Sequence, residues 1–100
     1  MAIFLLACGL ATPAYANQPS KLPVYPHSVE TKSEPAPSGF VASLYESHDA
    51  PAAVDAWYNG HLPACHRGIF SNGLIKYACP NGFVDVEPHG GGTTIEIVSN

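Results

Sequence analysis

Cys65 and Cys79 stand at equal distances on either side of Asn72, and Ser71-Asn72-Gly73 between them is a strong hairpin signal. The flanking runs, 67–70 and 74–79, carry enough apolar residues to pair as strands. Loop length then decides where the cysteines fall. In a two-residue Asn72-Gly73 loop, Ser71 pairs with Leu74 and Cys65 sits one position out from Cys79. In a three-residue Ser71-Asn72-Gly73 loop, Phe70 pairs with Leu74 and Gly73 takes the left-handed position of a bulge. Cys65 then lies directly opposite Cys79, within reach of a disulfide. The three-residue loop is predicted for that reason. A chain of 100 residues holds one domain at most, and a core that small is marginal without a staple.

A disulfide needs an oxidising compartment, and the N-terminus reads as the means of reaching one. Ile3-Phe4-Leu5-Leu6-Ala7-Cys8-Gly9-Leu10-Ala11 is a continuous apolar run, too short to span a bilayer as a helix. Thr12-Pro13 breaks it, and Ala14-Tyr15-Ala16 offers small residues at the positions a signal peptidase inspects. Residues 1–16 are therefore expected to be a signal peptide, and the protein to be periplasmic or secreted. No Lys or Arg precedes the run, which suggests that translation starts upstream of Met1. Two other readings compete: Leu5-Leu6-Ala7-Cys8 resembles a lipoprotein box that would anchor the chain through Cys8, or the run is a buried helix of the domain. Either processing route takes Cys8 out of the folding problem and leaves Cys65 and Cys79 as a pair.

Four Lys and Arg against eight Asp and Glu give a formal net charge of −4. The cations Lys21, Lys32, Arg67 and Lys76 are scattered along the chain. Phosphate binding needs clustered cations, so nucleic acid is excluded as an expected partner, and so is a membrane unless Cys8 is lipidated. The expected partner is a protein or small ligand outside the cytoplasm.

Residues 17–38 read as a Pro-rich lead-in, since Pro19, Pro23, Pro26, Pro35 and Pro37 remove backbone donors. Within it, Leu22-Pro23-Val24-Tyr25-Pro26 is an apolar island suited to an edge strand, and 31–38 reads as a polar, mobile stretch. Residues 39–100 form the domain. Phe40, Ala42 and Leu44 alternate with Val41, Ser43 and Tyr45, the period of a strand. Ser47-His48-Asp49 supplies an N-cap candidate and Pro51 suits a first helical turn. Val54, Trp57, Tyr58, His61 and Leu62 then fall on one helical face. Beyond the hairpin, 83–87 and 93–98 alternate again, separated by His89 and three glycines. The expected fold is α+β: strand, helix, then a meander, with a single helix packed on a four- to five-stranded, mainly antiparallel sheet.

His61, Cys65, His66 and Cys79 form the densest polar cluster, with His89 as a further imidazole. A Cys₂His₂ metal site is the sharp reading. Neither cysteine belongs to a Cys-x-x-Cys knuckle, however, and a disulfide removes both sulfur ligands at once, so the disulfide is expected and no cofactor. A Cys65–His66 nucleophile pair fails on geometry, because neighbours on a strand point to opposite faces. His89-Gly90-Gly91-Gly92 lacks the Gly-x-Ser-x-Gly turn that accompanies such a string in esterases. Asp85, Glu87 and Glu96 read as the solvated face of neighbouring strands. Trp57 and Tyr58 read as core anchors, and exposure of Tyr25, Tyr45 or Phe83 together would mark a recognition patch.

Leu22-Pro23-Val24-Tyr25-Pro26, with Asp49 opening a helix that carries Ala56-Trp57-Tyr58-x-x-x-Leu62, resembles a group of small bacterial exported proteins. Those proteins combine a Val-Pro-Tyr-Pro-Gly-like opening with an aromatic-Tyr-x-x-x-Leu helix ahead of a meander. The resemblance implies export and the fold and adds no activity. His27 stands where that group tends to have Gly, and the Cys65/Cys79 pair is not part of its pattern. The function expected is a non-enzymatic binding or interaction module. The alternatives are a metal-binding protein using His61, His66 and His89, or an inhibitor of a secreted enzyme inserting Ser71-Asn72-Gly73 or the 89–92 loop.

Overall fold

The computed structural model describes residues 22–100. Strands β1 (Val29–Pro35) and β2 (Val41–Ser47) flank a single 3-10 turn (Pro37–Gly39). Helix α1 (Pro51–His61) follows, then β3 (His66–Ile69), β4 (Ile75–Cys79), β5 (Gly82–His89) and β6 (Gly92–Ser99). All six strands join one sheet in the order β1-β2-β6-β5-β4-β3, with every neighbouring pair antiparallel. After β2 the chain leaves as α1, crosses one face to the far edge, and the β3–β6 meander walks back until β6 closes on β2. The α+β class is as expected, but the sheet has six strands rather than four or five.

The additional strand is β1, drawn from the stretch read as polar and mobile. All seven of its residues are exposed, so it has no apolar alternation to betray it. Its charges and Pro35 suit an outer edge, where they discourage further pairing. The ladder to β2 carries a register shift between Glu30 and Lys32, and Ser33 and Ser43 join their hydroxyls 3.2 Å apart across it. Ser38 and Gly39, at φ 63° and 80°, turn the chain back into β2. Position 38/39 therefore lies inside a hairpin rather than between a lead-in and a domain. The Leu22–Pro26 island is not a strand either. It runs as irregular chain, with Leu22 and Tyr25 buried in the core. The proposed signal peptide, 1–16, and Cys8 lie outside the described residues.

Alternation along the strands builds the core. Tyr77, Val84 and Ile97 form one row across β4, β5 and β6, and Ile75, Val86, Ile95 and Tyr45 form the next. From above, Val54 and Tyr58 of α1, with Leu62 just past its end, complete it. Pro51 opens the helix as predicted, since its missing N–H is one the first turn leaves unused. The N-cap itself is Ala50, without a side-chain cap, because the Asp49 carboxylate is taken by partners outside the helix.

The β3–β4 hairpin adopts the three-residue loop. Phe70 N–H donates to Leu74 O at 2.8 Å, Gly73 N–H donates to Phe70 O at 3.0 Å, and Gly73 sits at φ 88°. Cys65 and Cys79 form a disulfide with their Cα atoms 4.3 Å apart, the spacing of a non-hydrogen-bonded cross-strand pair. At the next turn, Gly82 lets β5 pass close to β6, where a Cβ would collide with the Val98 carbonyl.

Candidate functional site

The fold disperses the histidines that the sequence groups with the cysteines. The disulfide takes both sulfurs. His61 is exposed at the end of α1, its ring stacked on Trp57 with centroids 3.8 Å apart, and its Nδ1 donates to the Trp57 carbonyl at 2.7 Å. His66 lies opposite Ala78 on β3, and His89 closes the β5–β6 turn against Gly92. Among the described residues, no three His, Cys, Asp or Glu side chains are placed to hold a metal ion.

A different set is brought together instead. Tyr25 donates its hydroxyl to Asp49 Oδ2 at 2.5 Å, and His27 Nδ1 donates to the same oxygen at 3.1 Å. The Tyr25 hydrogen bond, then that of His27, holds the Asp49 carboxyl below its usual range. Tyr25 meets Trp57 edge-on at 5.7 Å, so the irregular segment is tied both to the chain just before α1 and to the helix itself through polar and aromatic contacts. Beside this group His27, His48 and His89 line a cleft of about 500 Å³ with Glu46, Ser47 and Gly92. Glu46 itself is engaged by the Thr94 hydroxyl at 3.0 Å. No local pattern joins Tyr25 to Asp49, which makes the set invisible to motif reading.

Arg67, Asp55 and Tyr77 form a second fixed group. The Arg67 Nε and Nη2 donate to the two Asp55 oxygens at 2.9 and 2.6 Å, and the Tyr77 hydroxyl donates to Oδ1 at 2.5 Å. This fork pins α1 to β3 and β4. The Arg67 hydrogen bonds hold the Asp55 carboxyl below its ordinary value, whereas burial and then Asp55 push Tyr77 up to about 12.

The carboxylates Asp85, Glu87 and Glu96 do share the face away from the helix. Asp85 stands directly across from Glu96, and Glu87 across from Thr94. Lys76 lies 3.6 Å from Asp85 Oδ1 and 4.1 Å above the Phe83 ring. Burial raises both Asp85 and Glu96, and each of the facing carboxylates adds to the effect on Glu96. The two groups give opposite pH signatures. Asp55 has a lowered folded pKa, so its contribution is full above the unfolded carboxyl value and is lost as pH falls through the folded one. Asp55→Asn is expected to destabilise at pH 7, with the difference shrinking in acid. Glu96 has a raised folded pKa, so its charged form costs stability above that value and the cost disappears as pH falls through it. Glu96→Gln is expected to stabilise at pH 7 by about 0.5 kcal/mol, the scale of a like-charge cross-strand pair. Urea midpoints from pH 3 to 7 check both, and parallel curves for wild type and variant would contradict the assignments.

At the far edge of the sheet, the hairpin tip presents Ile69 on one face and Phe70 on the other, 66% and 51% exposed. The loop beyond them, Ser71-Asn72-Gly73, is exposed as well. The disulfide braces the base of this hairpin, and the Asp55–Arg67 fork braces its outer strand. Trp57 and Phe83 are half-buried and separated on opposite faces, so the aromatics do not gather into one exposed patch. Comparison of the chain with protein-family models, with curated proteins and with solved structures finds no match.

Proposed function

We propose that the protein is an exported, non-enzymatic interaction module whose contact element is the tip of the β3–β4 hairpin. The observation that carries this reading is the exposure of Ile69 and Phe70 on a hairpin braced at its base by Cys65–Cys79. Exposed apolar side chains on the two faces of a projecting tip lose water contact favourably when a partner closes around it, and a rigid mount lowers the ordering cost of doing so. The disulfide fits an oxidising location outside the cytoplasm. A periplasmic or secreted protein is the specific form proposed, in line with the resemblance to small exported bacterial proteins. Inhibition of a secreted enzyme, with Ser71-Asn72-Gly73 entering its cleft, is one version of the same contact. The polar groups nearest the core support a binding role over catalysis: Asp49 and Asp55 are each held by two side-chain donors that tie segments of the fold together.

Replacing Phe70 by a photo-crosslinking analogue in the producing cell tests this. Adducts are expected at position 70 and absent when the same analogue replaces Glu34 on β1. Equal labelling at both positions, or none at 70, overturns the hairpin as contact element.

A further inference from the structure

We propose that β3 is a self-complementary edge that pairs antiparallel with β3 of a second copy, centred on Gly68, to make one continuous sheet from two chains. This rests on the hairpin as contact element and names its partner.

The two edges of the sheet are built differently. β1 carries Glu30, Lys32, Glu34 and Pro35, with a register shift, and so resists pairing. β3 has only Arg67 and His66 as polar side chains, and the Arg67 charge is matched by Asp55 at 2.6 Å. The N–H and C=O groups along β3 divide by parity. Phe70 bonds across to Leu74, so Gly68 and His66 are the other hydrogen-bonded positions facing β4. The 4.3 Å Cα spacing of Cys65 and Cys79 fits the opposite parity. Arg67 and Ile69 therefore point their backbone groups outward, and no described strand lies on that side.

A two-fold pairing must join these outward groups, which leaves three registers. Centring on Arg67 sets two guanidinium groups face to face and calls on the Cys65 N–H, which is already bonded to Leu62 O at 3.2 Å. Centring on Ile69 places Arg67 against Ser71, in the turn. Centring on Gly68 sets Arg67 against Ile69 of the partner subunit and uses the outward N–H and C=O of both residues on both chains. His66 then faces Phe70 of the partner subunit on the other side of the sheet. Charge and backbone pairing thus select one register. At its centre the two Gly68 residues form a non-hydrogen-bonded pair, the closest kind of approach.

The test uses the full chain. Sedimentation is expected to show a concentration-dependent doubling of mass. Ile69→Pro removes an outward N–H while leaving the β3–β4 bonds in place, so it is expected to give a monomer with an unchanged circular dichroism spectrum. For Gly68→Cys, a Cβ meets nothing within 4 Å, so the variant can fold. On mild oxidation it is expected to yield a covalent dimer as the main species, with Lys32→Cys on the opposite edge yielding little. A monomer at every concentration, an Ile69→Pro dimer, or equal linking at 68 and 32 overturns the self-pairing. A monomeric chain that still gives Phe70 photo-adducts to another protein overturns the second copy and keeps the hairpin. A monomer without adducts overturns both.

Discussion

Replacing Cys65 and Cys79 together by Ala is expected to lower unfolding stability by about 3 kcal/mol, the chain-entropy value for a loop of this length. The transition should stay cooperative, and the melting temperature should fall by roughly 12–24 °C for a domain of this size. The reason lies in where the bond sits. β3 is only His66–Ile69 and is an outer strand, held among the described residues of one chain by a single ladder to β4 and by the Asp55–Arg67 fork. In the unfolded chain the bond removes the loop-closure entropy of the whole hairpin. Both cysteines also pack against the core, so the double substitution loses some burial as well. Guanidinium titration with and without reductant measures the effect. A loss under about 1 kcal/mol would mean that the hairpin register is held without the bond.

Tyr58→Phe is expected to cost about 2 kcal/mol although it removes a single oxygen. The Tyr58 hydroxyl donates to Pro23 O at 3.0 Å and accepts from Tyr25 N–H at 3.1 Å, while its ring is fully buried. Burial raises the phenol well above its ordinary value, so at neutral pH it is the protonated form that makes both bonds. Phenylalanine keeps the ring and leaves two backbone groups without partners. The loss should be local first: the Tyr25 amide becomes fast in hydrogen exchange, and a protease cuts between 22 and 28 before the sheet unfolds. Unchanged protection at Tyr25 would show that Leu22 and the Asp49 contacts hold the segment unaided.

The hairpin was legible because Ser71-Asn72-Gly73 located the turn, and the equal spacing of Cys65 and Cys79 chose between the two loop lengths that turn allowed. The helix was legible for a related reason, since Val54, Tyr58 and Leu62 repeat at helical spacing and are buried in the core. β1 was not. An edge strand exposed on every residue leaves no hydrophobic pattern, and the charges and prolines that protect such an edge look like linker composition. Asp49 has the right chemistry for an N-cap, but that preference is local, and Tyr25 and His27 compete for it from far away in sequence. The histidine cluster failed for the same reason in reverse: closeness in sequence at 61–66 becomes separation between a helix end and a sheet edge.

The proposed role of the hairpin depends on a disulfide-braced domain working outside the reducing cytoplasm. The measurement that tests it is the intact mass of the protein recovered from its producing cell, alkylated before and after reduction. No alkylation is expected until reduction, with a mass lower by two hydrogens than the open-chain form and an N-terminus at Asn17. Free thiols at Cys65 and Cys79 in the recovered protein would contradict that role, placing the chain in a reducing compartment and removing the brace from the hairpin.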